Sequence, residues 1–112
     1  MIKVYQIQLT DAEIEAVNNG ETSDRIQAYF DRSWPMSPFK AENFQYYTHV
    51  ANIAGDTMED MEKAFELMNL WDRPELVDKV TNCSSMSVGD ILVLECGWIY
   101  RCASFGFTKL TA

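Results

Sequence analysis

Histidine is almost missing from this chain: His49 is the sole one among 112 residues. That scarcity removes most nucleophilic active sites, since a Ser–His or Cys–His pair would have to be built on that one imidazole. His49 stands in an apolar stretch with no cysteine near it, so the sequence favours an ordinary half-buried strand histidine. Cysteine is also sparse. Cys83, Cys96 and Cys102 are odd in number and lack any C-x-x-C spacing, which argues against a zinc site and a closed disulfide set. They are expected to be small buried hydrophobes in a reducing, cytoplasmic setting. The five glycines never cluster into a phosphate-cradling loop, and Ser84, Ser85 and Ser87 lack the G-x-S-x-G context of a nucleophile elbow. No apolar run approaches the roughly 20 residues that span a bilayer. The opening residues Met1–Leu9 alternate polar and apolar, as a strand does and a signal peptide does not.

Positive charge is short as well. Nine Lys and Arg face 17 Asp and Glu, for a net charge of −8. The deficit is local: residues 1–83 hold 15 acids against 7 bases, whereas residues 84–112 balance Asp90 and Glu95 with Arg101 and Lys109. Direct nucleic-acid binding depends on Lys and Arg neutralising phosphates, so none is expected. An acidic surface attracts basic protein surfaces instead, and can imitate the phosphate array of a nucleic acid.

What is present is an ordinary globular composition, 47% hydrophobic with three Trp, five Tyr and six Phe. That is enough for one domain over residues 1–112 with its own core. Lys3–Leu9 reads as a strand with Tyr5, Ile7 and Leu9 on one face and Val4 on the other. Thr10 and Glu13 have capping-box spacing before a short helix that stops near Gly20. A second helix is expected from Thr22 or Ser23, with Ile26, Tyr29 and Phe30 on one side and Trp34–Pro35 as its stop. Pro35–Glu42 reads as a loop, and Phe44–Ile53 as a strand. Asp56 or Thr57 caps the next helix, in which Met58, Met61, Phe65 and Met68, with Ala64, form the expected core stripe. A short helix is expected over Glu75–Val80, after Pro74. Ser87-Val88-Gly89-Asp90 is a turn, Ile91–Leu94 a strand buried on both faces, Cys96-Gly97 a hairpin turn, and Trp98–Cys102 and Phe107–Leu110 the last strands. The expected fold is α+β: a small antiparallel sheet of about five strands with three to four helices mainly on one face.

The candidate functional residues follow from the acids. Glu59, Asp60, Glu62 and Glu66 on the central helix, with Trp71, Asp72, Glu75 and Asp78 beyond it, combine charge that steers association with an aromatic that anchors it. The alternative is an RNA- or ligand-binding module on the C-terminal β element, with Trp98, Tyr100 and Arg101 as a stacking platform. No catalytic residue, metal or cofactor is expected.

The segment from Gln45 to Leu110 resembles the YodL-like domains of phage and mobile-element proteins, and small bacteriophage proteins with the same ending. The residues that carry the likeness run in order along the chain. They are the aromatic stretch Tyr47–Ile53, the acidic helix ending Ala64-Phe65-Glu66-Leu67-Met68-Asn69, and Trp71-Asp72-Arg73-Pro74. Ser85-Met86-Ser87-Val88-Gly89-Asp90, Tyr100 and Phe105-Gly106-Phe107 complete it. The resemblance implies a context and a fold but no chemistry. It implies an accessory factor that acts on host machinery in the host cytoplasm; the acidic surface adds the expectation of a host protein with a basic surface, and the chain itself is expected to be a monomer or weak dimer. Transcription enzymes and defence nucleases are the expected targets.

Overall fold

The structure is a computed structural model that describes residues 1–32, 41–104 and 106–110. The expected stop at Trp34–Pro35 and most of the expected loop at Pro35–Glu42 lie outside those residues. In chain order the elements are β1 (Ile2–Gln6), α1 (Asp11–Asn18), α2 (Asp24–Asp31), a 3₁₀ turn (Ala41–Tyr46), β2 (Thr48–Ile53) and α3 (Met58–Leu70). A second 3₁₀ turn (Pro74–Leu76), β3 (Asp78–Lys79), β4 (Ile91–Val93), β5 (Ile99–Cys102) and β6 (Phe107–Lys109) follow. The architecture is α+β, and the sheet has six strands, all antiparallel, in the order β3-β2-β1-β4-β5-β6.

Local signals set most helix starts. Thr10 Oγ1 accepts from the Glu13 N–H at 3.1 Å while Glu13 reaches back to the Thr10 amide at 2.9 Å, and Thr57 and Asp60 repeat the device at α3. Ser23 caps α2 alone, accepting from Ile26 N–H at 3.2 Å. On α3 the buried residues are Met61, Ala64, Leu67 and Met68. Met58 and Phe65, read from sequence as core, are exposed at 51% and 40%. The 3-4 spacing is satisfied equally by a stripe centred on Ala64 and Leu67, and the sheet takes that one.

β1 also faces the other way from the sequence reading. Ile2, Val4 and Gln6 point into the core and Tyr5 lies on the opposite face. Gln6 tolerates burial because both ends of its amide are used. Its Nε2 donates to Ser84 O at 3.1 Å and Asp90 Oδ2 at 3.0 Å, and its Oε1 accepts from the Ser84 N–H at 3.1 Å. A bulge at Val50 shifts the register, so that Val4 faces Ala51 while Tyr5 faces His49.

Two expected elements differ. Phe44–Tyr46 forms the end of a 3₁₀ turn rather than the start of a strand. Its β-prone rings serve tertiary packing instead: Phe44 lies 5.2 Å from Tyr5 and 5.8 Å from Tyr47 between centroids. The expected helix over Glu75–Val80 gives way to β3, where Lys79 pairs with Ala51, and Val80 N–H donates to Val50 O at 2.9 Å. An extended segment satisfies the outer backbone groups of β2, which a helix could not do.

The register sorts the sheet into two faces. Ile2, Val4, Leu92, Leu94, Tyr100 and Cys102 form one core with Met61, Ala64, Leu67 and Met68 of α3. Tyr5, Ile91 and Arg101 share the other face, because they pair directly across β1, β4 and β5. That face meets Phe44 at Tyr5 and the end of α2 at Arg101, whose Nη2 donates to Arg32 O at 2.7 Å. The helical segments therefore serve both faces, with α3 alone on the larger core.

Candidate protein-docking surface

Residues advance about 100° per position around an α-helix. Glu59, Glu62 and Glu66 consequently fall within about 60° of one another, on the side of α3 opposite its buried stripe. All three are exposed, and none belongs to an ion pair or side-chain hydrogen bond among the described residues. Apolar side chains flank them: Met58 and Phe65 on one side, and Leu70, 67% exposed, near the C-terminal end. Carboxylates beside exposed apolar groups form a surface fit for a partner that brings both cations and hydrocarbon.

The other acids singled out from sequence have different roles. Asp60 turns back to the helix start, where Oδ2 accepts from Asp56 N–H (2.9 Å), Thr57 N–H (3.1 Å) and Thr57 Oγ1 (2.9 Å). Those bonds hold its carboxyl below the usual range, the Asp56 amide contributing most, and commit it to capping. Asp72 borders a hollow with Glu66, Leu70, Lys63 and Arg73, so cations close the acidic stripe at that end. Glu75 lies in the second 3₁₀ turn, and Asp78 on β3 accepts from Asn52 Nδ2 at 3.3 Å. Trp71, expected as an aromatic anchor for a partner, packs half-buried against the core. Lys79 Nζ covers its ring at 4.7 Å, and its backbone takes the left-handed conformation, φ 53°, that ends α3. The candidate docking surface thus narrows to Glu59, Glu62 and Glu66, with Met58, Phe65 and Leu70 as its apolar part.

Beside this stripe, Glu62 and Phe65 of α3 meet Cys102, Ala103, Ser104, Gly106 and Phe107 around a hollow of about 160 Å³. Sequence reasoning missed it. Its walls come from segments about 40 residues apart, and Phe65, which lines it, read from sequence as part of the core stripe.

The proposed stacking platform does not assemble. Trp98 is 46% exposed, but Lys109 Nζ already lies 3.5 Å over its ring. Tyr100 is 8% exposed within the core, and Arg101 lies on the opposite face of the sheet. Alternation along one strand forces Tyr100 and Arg101 apart.

Beneath the sheet end lies a buried polar cluster. Asp90 Oδ2 accepts from Gln6 Nε2 at 3.0 Å and from the Ser87 N–H at 2.9 Å, while Arg32 Nη1 stands 3.7 Å from Oδ1. Arg32 Nη1 also donates to Ser87 Oγ and Val88 O, and the Tyr47 hydroxyl donates to Gly89 O at 2.6 Å. Burial pushes the Asp90 carboxyl up to about 6 and the Tyr47 phenol up to about 12. Apart from the Ser87–Asp90 bond within the turn, these contacts join the turn to β1, the residue after α2 or the residue before β2, so the cluster ties the layers together. Only the turn itself was visible in sequence.

His49 stacks on Tyr5 at 5.1 Å, and its Nε2 lies 2.7 Å from Asn52 Oδ1, with no thiol or carboxylate hydrogen-bonded to it among the described residues. Burial raises the Cys102 thiol to about 11 and also raises that of Cys83, which suits packing and not nucleophilic attack. Cys96 departs from the expected burial, being exposed in the hairpin turn between β4 and β5. Among the described residues, no three of His, Cys, Asp and Glu gather as a metal site, and no helix is long and apolar enough to cross a membrane. Compared with protein families, curated proteins and solved structures, the chain matches none.

Proposed function

We propose that this chain is a non-enzymatic accessory protein that docks through α3 onto a basic surface of another protein. The observation that carries the reading is the alignment of Glu59, Glu62 and Glu66, exposed, unpaired among the described residues and bordered by Met58, Phe65 and Leu70. The resemblance of Gln45–Leu110 to YodL-like phage domains supports a host protein as the partner, in the host cytoplasm. Transcription enzymes and defence nucleases suit the role because their channels are built to hold phosphates and are therefore basic. Steering by this charge accelerates encounter, while the apolar flank supplies affinity.

The test is co-purification from host lysate with the wild-type chain and with the triple variant Glu59→Lys, Glu62→Lys, Glu66→Lys. These exposed changes move the net charge from −8 to −2, two units at each of three sites, and should leave the circular dichroism spectrum unchanged. The partner should be lost from the variant, and from the wild type on raising salt to about 1 M, where screening acts within about 3 Å. A partner retained under both perturbations refutes the reading.

A further inference from the structure

Among the described residues, the sheet ends in an open edge at β6. Leu110 N–H donates to Ile99 O at 2.8 Å and Ala103 N–H to Gly106 O at 2.9 Å, with Arg101 opposite Thr108 between them. In an antiparallel ladder these alternate with pairs whose N–H and C=O groups point away from each other. Phe107 and Lys109 therefore direct theirs outward, and neither takes a partner among the described residues. The far side of β5 fixes the same phase: Cys102 N–H donates to Asp90 O, and Gly89 N–H to Cys102 O, both at 2.8 Å.

An unpaired edge is a template for another strand unless a charge, a proline or a covering element blunts it. Lys109 is the cation on β6, and its ammonium is folded over the Trp98 ring. On the α3 side of this edge lies the hollow formed by Phe65, Phe107, Cys102 and Glu62. A strand added here would turn every second side chain toward the α3 side, one of them over that hollow, against two aromatic rings and a carboxylate. A second copy of the chain fits poorly. Pairing two β6 strands about an axis normal to the sheet puts both acidic stripes on one face, on molecules that each carry −8.

We propose that β6 receives an extended basic segment of a partner protein as a seventh strand. An aliphatic side chain of that segment fills the Phe65–Phe107 hollow, and flanking Lys or Arg face Glu62. This deepens, and rests on, the reading of α3 as a docking surface.

The experiment titrates the isotopically labelled protein with a peptide of alternating lysine and valine, following amide shifts and hydrogen exchange. Two controls accompany it, one with glutamate for lysine and one with proline for valine, which keeps the charge but cannot pair as a strand. Exchange at the Phe107 and Lys109 amides should slow at least tenfold with the lysine–valine peptide. Affinity should fall at least tenfold for either control and for Glu62→Lys. Equal binding of the proline peptide, with shifts confined to α3, overturns the strand addition and leaves the acidic docking surface standing. Absence of binding by the lysine–valine peptide overturns the strand addition too, and the triple-variant co-purification then judges the docking surface separately. Protection of these amides that rises with protein concentration alone assigns the edge to a second copy and overturns the proposal.

Discussion

Replacing Asp90 with Asn should change how stability depends on pH more than it changes stability itself at low pH. Asp90 is 2% exposed and accepts hydrogen bonds from Gln6 and Ser87, with Arg32 at 3.7 Å and Tyr47, Arg101 and Cys102 in the same cluster. Burial raises its carboxyl to about 6 in the folded chain, against about 3.9 unfolded. The folded state therefore holds this proton more tightly. The contribution to stability is fully present below about pH 4 and is lost as pH rises through 6. A shift of about two units corresponds to about 3 kcal/mol. Asn has the same shape, keeps an oxygen toward Ser87 and Gln6, and does not titrate. Glu13 and Asp60, whose carboxyls are lowered, act in the opposite sense, but they are common to both chains and cancel in the difference. Urea unfolding of both proteins from pH 4 to 8 should give Asp90→Asn a relative gain of about 2 kcal/mol between the ends of the range, since at pH 4 the unfolded carboxyl is already about half ionised. Parallel curves would refute burial as the dominant influence. A relative loss with rising pH would mean that the Arg32 pairing outweighs it.

Met68→Ala should cost about 2–5 kcal/mol in urea unfolding, whereas Phe65→Ala, on the exposed side of α3, should change stability by less than about 1 kcal/mol. A comparable cost at Phe65 would restore the stripe expected from sequence, which held both residues. Gly89→Ala should prevent folding or cost several-fold more than Gly97→Ala. Both glycines have φ of 95°, but an added methyl at Gly89 would collide with the Arg32 carbonyl and at Gly97 would meet open space. Thermal denaturation of the two variants checks it. With a thiol reagent at pH 8, Cys96 should react well before Cys83 and Cys102, and a mass shift located first on Cys102 would contradict its burial.

What the sequence disclosed depended on how local the cause was. The Thr10–Glu13 capping box, the Gly97 hairpin and the doubly buried β4 are set by neighbours within a few positions, and each could be read directly. Which face of β1 turns inward was not local. Tyr5 pairs across to His49 while Gln6 is drawn inside by Ser84 and Asp90, 78 and 84 positions away. The same reason hid β3, whose extended form answers the needs of β2, and the Phe65–Phe107 hollow. On α3 the spacing read as one stripe that included Met58 and Phe65, and packing against Ile2, Val4 and Leu92 takes Leu67 in their place beside Met61, Ala64 and Met68. For the candidate site this meant that Glu59, Glu62 and Glu66 were legible as one face, while the roles of Asp60 and Trp71 were not. A carboxylate that caps a helix and one that waits for a partner have the same sequence signature until its hydrogen bonds are seen.

α3 itself argues that its outer face serves something other than folding. Glu62 and Glu66 stand one turn apart, a like-charge spacing that disfavours an isolated helix by about 0.2–0.5 kcal/mol. Glu66 also lies in the C-terminal half, where the helix dipole favours cations, and the last turn holds no basic residue. Met58, Phe65 and Leu70 add exposed hydrocarbon to the same helix. The cap at Thr57–Asp60 and the buried stripe, by contrast, follow every local rule. Departures from local consistency that gather on one surface, while the buried side of the same helix follows every local rule, are what the proposed docking role would produce. A partner that supplies cations and apolar contact would relieve all three departures together, and one that added a strand at β6 would bring both along the neighbouring edge.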